Sequence, residues 1–491
     1  VAALEGAGRM TVPTLTPDLC VIGAGAGGLT VAAGAVQMGA SVVLIEKGVM
    51  GGDCLNAGCV PSKSLLAAAR AAQDARDATR FGVRAGDPAI DFAAVMDHVQ
   101  GVIDGIAPMD SQERFEDLGV TVLRAEAHFT DPRTVVAGDH RVRARRFVVA
   151  AGSLPYVPAL PGLADVPYLT NETVFALRAR PSHLIILGGG PIGCELGQAF
   201  RRLGSRVTLL EAERILGRDD ADMADVVRAR LIAEGVTLRE GWRATAVTSL
   251  DGGEEEGGGI RLTAVNGEGG VDTLTGSHLL VALGRRAALK GLKLASADII
   301  ATPHGIRVDR RLRTTNNRVF AIGDITGGPM FTHMASHAAS VVLRQALFRL
   351  PARVEDATIP HVTYTDPELA WVGMTETEAA REDHAVRVVH WAFDENDRAR
   401  CERRSEGLVK VVATRRGRVL GAGVVGREAG EMIQPWVLAI RHRLSLGAMA
   451  TMVAPYPTRT EASKRAAGAF HAPALFSDRT RRLVRLLSWL G

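Results

Sequence analysis

Two cysteines stand in the run GGDCLNAGCVPSK (residues 51–63), Cys54 and Cys59, with four residues between them. That spacing is too wide for a thioredoxin-like C-x-x-C, and no second pair follows to complete a zinc site. Pro61 places the start of a helix at Cys59. A thiolate at a helix N-terminus is stabilised by the free amides and the dipole there, so its pKa falls and it becomes a better electron relay. The plain alternative, two cysteines that only pack, fits poorly with a pair on the first helix after a dinucleotide fingerprint.

That fingerprint is Gly23-x-Gly25-x-x-Gly28, set between a short apolar strand and an amphipathic helix. The first glycine permits the tight turn, the second admits a pyrophosphate, and the third lets helix and strand pack closely. Glu46 ends the next strand, placed to accept hydrogen bonds from a ribose 2′-OH. The pattern recurs at Gly188-x-Gly190-x-x-Gly193, with Glu211 closing its second strand. Two such βαβ units predict two dinucleotide-binding domains. Glu211 favours NADH by repelling a 2′-phosphate, while Arg214, three residues on, leaves NADPH open. His333 and His337 are four apart, but no third ligand follows, so no metal site is assigned.

The segment GGDCLNAGCVPSK resembles the redox motif of the class I pyridine nucleotide–disulfide oxidoreductases, the family of dihydrolipoamide dehydrogenase, glutathione reductase and mercuric reductase. The resemblance runs from about Pro17 to about Ala467. It implies that Cys59 is the flavin-proximal thiol and Cys54 the interchange thiol that meets substrate. It places Lys63 near the flavin, paired with Glu195 of the second fingerprint. NNRVFAIGDITGG (Asn316–Gly328) matches the family's second FAD segment, with Asp324 at the ribityl chain or phosphates and Gly323 giving backbone access. By the same likeness Lys47, Gly52, Ala151, Gly152, Met330 and His333 join the FAD site, and Ile192 and Gly284 the NAD(P) site. The helix opening in MFTHMASHAASVV turns its first amides to the flavin, and VVAAGSLPYVP and LLVALGRRA resemble the crossings between domains. Electrons then pass from NADH through FAD to the cysteine pair.

One departure bears on the substrate. The family's C-terminal H-x-H-P-T-x-S-E, delivered to the other subunit, reads here Ala454-Pro455-Tyr456-Pro457-Thr458-Arg459-Thr460-Glu461. The glutamate remains and the base histidine is Tyr456. Tyrosine, with a pKa of about 10 against about 6.5 for histidine, is no base at neutral pH, though it still donates a hydrogen bond. Such a tyrosine resembles mercuric reductase, but the vicinal cysteines and the small N-terminal metal-binding domain of those enzymes have no counterpart in this sequence. Cys401, in ENDRARCERR, is expected in a loop as an exposed bystander, and Cys20 and Cys194 as small buried hydrophobes.

The chain's 491 residues, 47% apolar and 23% charged, suit roughly two to four packed domains. The expected class is α/β, with two Rossmann-like dinucleotide-binding domains and a C-terminal α+β dimerisation domain. The boundaries read as an N-terminal extension at 1–16, FAD-binding parts at 17–155 and 283–350, an NAD(P)-binding domain at 156–282, an interface domain at 351–475 and a basic amphipathic tail at 476–491. DGGEEEGGG (251–259) reads as a solvated hairpin loop. A net charge of +4 without a basic block gives no sign of nucleic acid binding. Five sparse cysteines, no signal peptide and no long apolar run make a cytoplasmic enzyme the expectation.

The tail RTRRLVRLLSWLG carries Leu483, Leu486, Leu487 and Leu490 on one helix face and Arg481, Arg482 and Arg485 elsewhere. Docking onto the protein's own surface is expected, with an interfacial membrane anchor as the alternative. The functional reading is a homodimeric reductase of a small disulfide, a sulfur species or a soft metal ion. The alternatives are a mercuric-type reductase, a dihydrolipoamide dehydrogenase-like enzyme with tyrosine for the base, and a flavin–cysteine redox sensor.

Overall fold

The computed structural model describes residues 13–250, 259–355, 358–382 and 385–489. The loop expected at 251–259 and Leu490 of the tail fall outside these, except that Gly259 begins a strand. Five parallel strands form the first sheet, in the order Val319–Ala321, Arg146–Val149, Leu19–Ile22, Val42–Glu46 and Thr121–Arg124. The strand Leu19–Ile22 is buried at every position, as a strand covered by helices on both faces must be. Cys20 lies in it, fully buried.

A second parallel sheet runs Thr237–Glu240, Arg206–Glu211, His183–Leu187 and His278–Val281. In both sheets the central strand runs through a glycine turn into a helix, Ala26–Gln37 in one and Pro191–Arg202 in the other. Gly23 and Gly188 take nearly the same left-handed φ, +107° and +108°. A Cβ on Gly28 would stand 1.8 Å from the Gly23 carbonyl oxygen, and one on Gly193 would stand 1.9 Å from that of Gly188. The third glycine of each motif is therefore demanded by backbone contact. Cys194, in the second helix, is fully buried.

The crossings between the two sheets are the antiparallel strands Ser153–Pro155 and Arg285–Ala287. Beyond them a five-stranded antiparallel sheet runs His361–Thr363, Glu368–Gly373, Val419–Gly426, Leu408–Thr414 and Val386–Ala392. Trp436 and Ala462, from the helices Gln434–Arg441 and Glu461–Ala469, share its core. Trp436 donates its indole N–H to Ser463 Oγ at 3.1 Å.

Two expectations are corrected. Cys401 is exposed as expected, but it ends a short helix, Asp397–Cys401, and is not in a loop. Asn396 caps that helix by accepting from the Ala399 amide at 3.0 Å, a local device that overrides the polar composition. The tail forms the helix Asp478–Leu487, with Ser477 as its cap, but it does not dock on its own chain. None of its residues is buried, and Leu483, Val484, Leu486 and Leu487 are 52–65% exposed. Amphipathicity forms the helix, yet after Ala472–Leu475 its leucine face meets no covering surface among the described residues.

Candidate active site

Gly51 and Gly52 turn the chain with φ of +88° and +63°, values that side-chain-bearing residues rarely adopt. They lead into the short helix Gly52–Asn56, which carries Cys54. A Cβ on Gly52 would stand 2.7 Å from the Gly25 Cα, so the cysteine segment lies directly on the first glycine turn. Asn56 ties the segment to itself, donating to Met50 O at 3.0 Å and Gly52 O at 2.8 Å. From outside, Asn171 donates to Asp53 Oδ1 at 3.0 Å and Ala57 O at 3.1 Å. Arg285 pairs with Asp53 at 3.1 Å.

The next helix, Cys59–Asp77, begins at Cys59, where Pro61 placed its start. No side chain caps it and its first turn holds no acidic residue, so no side chain of that turn opposes a negative charge at its start. Cys54 and Cys59 carry free thiols that are hydrogen-bonded to each other. The bond from Cys54 pulls the Cys59 thiol down to about 6, helped by Thr332 and the Lys63 charge and opposed by burial and Glu195. The Cys54 thiol moves the other way, first because it is the donor to Cys59 and then because it is buried. The shared hydrogen bond thus favours the thiolate at Cys59 and the thiol at Cys54. Thr332 Oγ1 lies 3.6 Å from Cys59 Sγ.

One turn beyond Cys59, Lys63 Nζ meets Glu195 Oε2 at 2.7 Å, with Glu195 buried and Lys63 a third exposed. The same ammonium lies 4.4 Å from the centre of the Tyr364 ring, a cation–π distance. The Tyr364 amide donates to the other Glu195 oxygen at 2.9 Å. Three elements far apart in sequence therefore meet at one carboxylate.

These groups open on a cavity of about 740 Å³, within the range of about 300–1,000 Å³ usual for small-molecule and cofactor sites. Gly23, Gly25, Glu46, Lys47, Gly52, Cys54, Cys59, Lys63, Ala151, Gly152, Ile192, Glu195, Gly323, Asp324, Met330 and His333 all line it. Gly28 does not; it serves the helix–strand contact described above. Nor do Gly188, Gly190, Gly193, Glu211 and Gly284 line it, though Pro191 and Ile192 carry the second fingerprint's helix to its edge.

Each strand-end glutamate already holds its glycine turn. Glu46 accepts from Ala24 and Gly48 amides, both at 2.6 Å, and Glu211 from Gly189 at 2.7 Å and Glu213 at 3.1 Å. Arg214, the residue that leaves NADPH open, is paired with Asp225. His333 lies near Pro360 O at 2.7 Å and stacks on Phe331. Among the described residues no three His, Cys, Asp or Glu side chains are grouped to hold an ion.

Tyr456 and Glu461 are not brought to this cavity within one chain. Tyr456 is 71% exposed and donates to Asp397 Oδ2 at 3.1 Å. Glu461 opens the helix Glu461–Ala469 and pairs with Arg465 at 3.1 Å.

Sequence reasoning missed Arg285, Ser153, Asn171, Thr332 and Tyr364. Ser153 accepts from Arg285 Nε at 2.7 Å and donates to Asp324 at 2.6 Å. Burial raises the Asp324 carboxyl against the pull of that bond and of Arg285. Arg285 follows Gly284 in a recognised crossing and was within reach of inspection. Tyr364 carries no local signal.

Residues 17–339 match the profile of the pyridine nucleotide-disulphide oxidoreductases, and residues 359–467 that family's dimerisation domain. The chain belongs to this family. A mercuric reductase of Streptomyces lividans is 36% identical over 92% of the chain and 96% of its own length. A dihydrolipoyl dehydrogenase of Thermus scotoductus is 34% identical over 94% of the chain and 98% of its own length. Among solved structures, the HOCl-induced flavoprotein disulfide reductase RclA of Escherichia coli superposes with a TM-score of 0.81 at 25% identity, over 92% of this chain and 99% of that one.

The oxidoreductase uses FAD and NAD(P)H, and the cavity fits FAD. The helices Ala26–Gln37 and Thr332–Ala346 have no side-chain cap and no acid in the first turn, so their amides are free for an anion. A Cβ on Gly25 would meet no protein atom nearer than the Gly52 Cα at 3.8 Å; it would stand in the cradle instead. The dimerisation domain supports a homodimer.

Proposed function

We propose that this oxidoreductase reduces a small disulfide or related sulfur species, with Cys54 as the thiol that meets substrate and Cys59 as the relay to the cofactor. The observation that carries this reading is the placing of Cys54 and Cys59 together on one cavity wall, beside Thr332 and the Lys63–Glu195 pair. FAD, when bound, supplies a two-electron carrier between the dinucleotide and the thiols.

On the substrate side the steps belong to the protein. Cys54 attacks a substrate sulfur, its proton passing to the departing sulfur; the S–S bond breaks, a mixed disulfide forms and the first thiol leaves. The Cys59 thiolate then attacks the Cys54 sulfur, closing Cys54–Cys59 and releasing the second substrate sulfur as a thiolate that takes its proton from water. The substrate gains two electrons and the pair loses them. Lys63 holds positive charge beside the Cys59 thiolate, and Glu195 fixes the ammonium. Gly188, Gly190, Gly193 and Glu211 are assigned to the nicotinamide dinucleotide. Glu46, Gly323, Asp324 and the remaining cavity glycines are assigned to FAD.

A second reading rests on Tyr456, which replaces the base histidine, and on the likeness to mercuric reductases. A soft metal ion held by the two thiolates needs no base to reprotonate leaving thiols, so tyrosine suffices.

An anaerobic NADH titration of wild type and Cys54→Ser, followed by absorbance, tests the cysteine roles. A long-wavelength band from the Cys59 thiolate, growing in near two electrons in wild type and present without prior reduction in Cys54→Ser, is expected. Bleaching with no band in either protein rejects the relay. Hg(II)-dependent NADPH oxidation no faster than that of Cys54→Ser rejects the metal reading and leaves the disulfide reading standing.

A further inference from the structure

The helix Asp478–Leu487 lies beyond the matched dimerisation domain, which ends at residue 467. It is well formed, with Ser477 accepting from the Thr480 amide at 3.3 Å, yet it buries no residue. Leu483, Leu486 and Leu487 form one exposed face at helical spacing, with Val484 on its flank. Trp489, just past the helix, is 89% exposed. Four arginines, Arg479, Arg481, Arg482 and Arg485, accompany a single acid, Asp478. Arg481 reaches Asp478 at 3.7 Å; among the described residues the other three have no carboxylate partner.

We propose that this helix is a peripheral docking element for an anionic lipid surface, lying in the plane of the headgroups. The charge decides among occupants. A leucine stripe flanked by uncompensated arginines, with a tryptophan at its edge, matches a surface whose interior is apolar and whose rim is negative. A second copy meeting this face across a two-fold axis would set one arginine-rich helix against its twin. The arginines' methylene stems can lie along the apolar layer while their guanidinium groups stay with lipid phosphates. No helix among the described residues is long and apolar enough to cross a membrane, so the contact proposed is interfacial only.

The test is flotation of the full-length holoenzyme with phosphatidylcholine vesicles, plain or containing about 30% phosphatidylglycerol, at low and high salt. Binding to the anionic vesicles alone, weakened by salt, is the expected result. Leu483→Ser with Leu487→Ser should abolish it with NADH oxidation and dimer mass unchanged. Arg482→Gln with Arg485→Gln should weaken it about thirtyfold while keeping the apolar face. The proposal is overturned if wild type does not float, if it floats equally with neutral vesicles, or if both variants float like wild type. It is also overturned if the leucine variant shifts the dimer towards monomer, since a second copy would then be the occupant.

Discussion

At the scale of single residues the decisive feature is the division of labour between two thiols of the same chemistry. An ordinary cysteine holds its proton to about pH 8.5, whereas the bond from Cys54 brings Cys59 down to about 6. Lys63 lowers Cys59 and Glu195 raises it, so their removal should act in opposite senses. In the reduced enzyme, Lys63→Met should move the ultraviolet thiolate titration to higher pH and Glu195→Gln to lower pH. Thr332→Val should also move it upward. Movement of both charge variants in the same direction would mean that the pair acts through folding and not through its field. The same shift carries a stability term. Between pH 6 and the unfolded thiol's value the folded chain binds fewer protons at Cys59, so stability rises with pH across that window. The contribution is present above the unfolded value and lost as pH falls through about 6. Urea midpoints of the reduced protein should therefore gain more from pH 5 to pH 8 in wild type than in Cys59→Ser, and equal gains would deny the thiolate.

At the scale of elements, one face of the helix Pro191–Arg202 holds the dinucleotide-fingerprint domain against the interface domain. Glu195, Gln198 and Arg202 recur at helical spacing and each grips the segment Tyr364–Asp366. Gln198 exchanges both amide functions with the Asp366 backbone at 2.7 and 2.8 Å. Arg202, 4% exposed, binds Glu234 at 2.6 Å and Asp366 at 2.9 Å. Removing one partner of a buried ion cluster leaves the others uncompensated, at about 3–5 kcal/mol. Arg202→Met should thus unfold at clearly lower urea, whereas Arg481→Met, exposed on the tail, should not. The glycine turns make a sharper claim. Because the Cβ of Gly28→Ala would strike backbone oxygen at 1.8 Å, the helix must move off its strand, and the purified protein should retain far less flavin. A normal flavin-to-protein absorbance ratio in that variant would contradict the close packing.

For the whole molecule, the C-terminal tyrosine lies apart from the cysteine cavity of its own chain. Tyr456 stands 71% exposed and Val453 90% exposed, away from the cysteine cavity. If the partner subunit completes the site, a Cys54→Ser chain and a Tyr456→Ala chain can complement each other. Purified hybrid dimers should then recover about half of wild-type turnover, because one of their two sites has both residues intact. With Tyr456→Ala homodimers inactive, hybrids as inactive as the Cys54→Ser parent would place Tyr456 in the site of its own chain, whereas fully active Tyr456→Ala homodimers would place it outside the reaction.

The local parts of this protein were legible in its residues. Glycine turns, β-branched strands and the helix start at Pro61 are short-range geometry, and they specify both dinucleotide motifs and the position of Cys59, while the other residues expected at FAD came from family resemblance. The cap at Asn396 is equally local, a side chain accepting from the amide three residues on. What only the tertiary structure decided were meetings between segments with no shared period: Arg285 on Asp53, Thr332 on Cys59 and Tyr364 on Glu195. The tail shows the same boundary from the other side. Its amphipathic spacing determined that a helix forms, but whether a helix finds a covering surface depends on where the rest of the chain has been placed, and the described residues offer none.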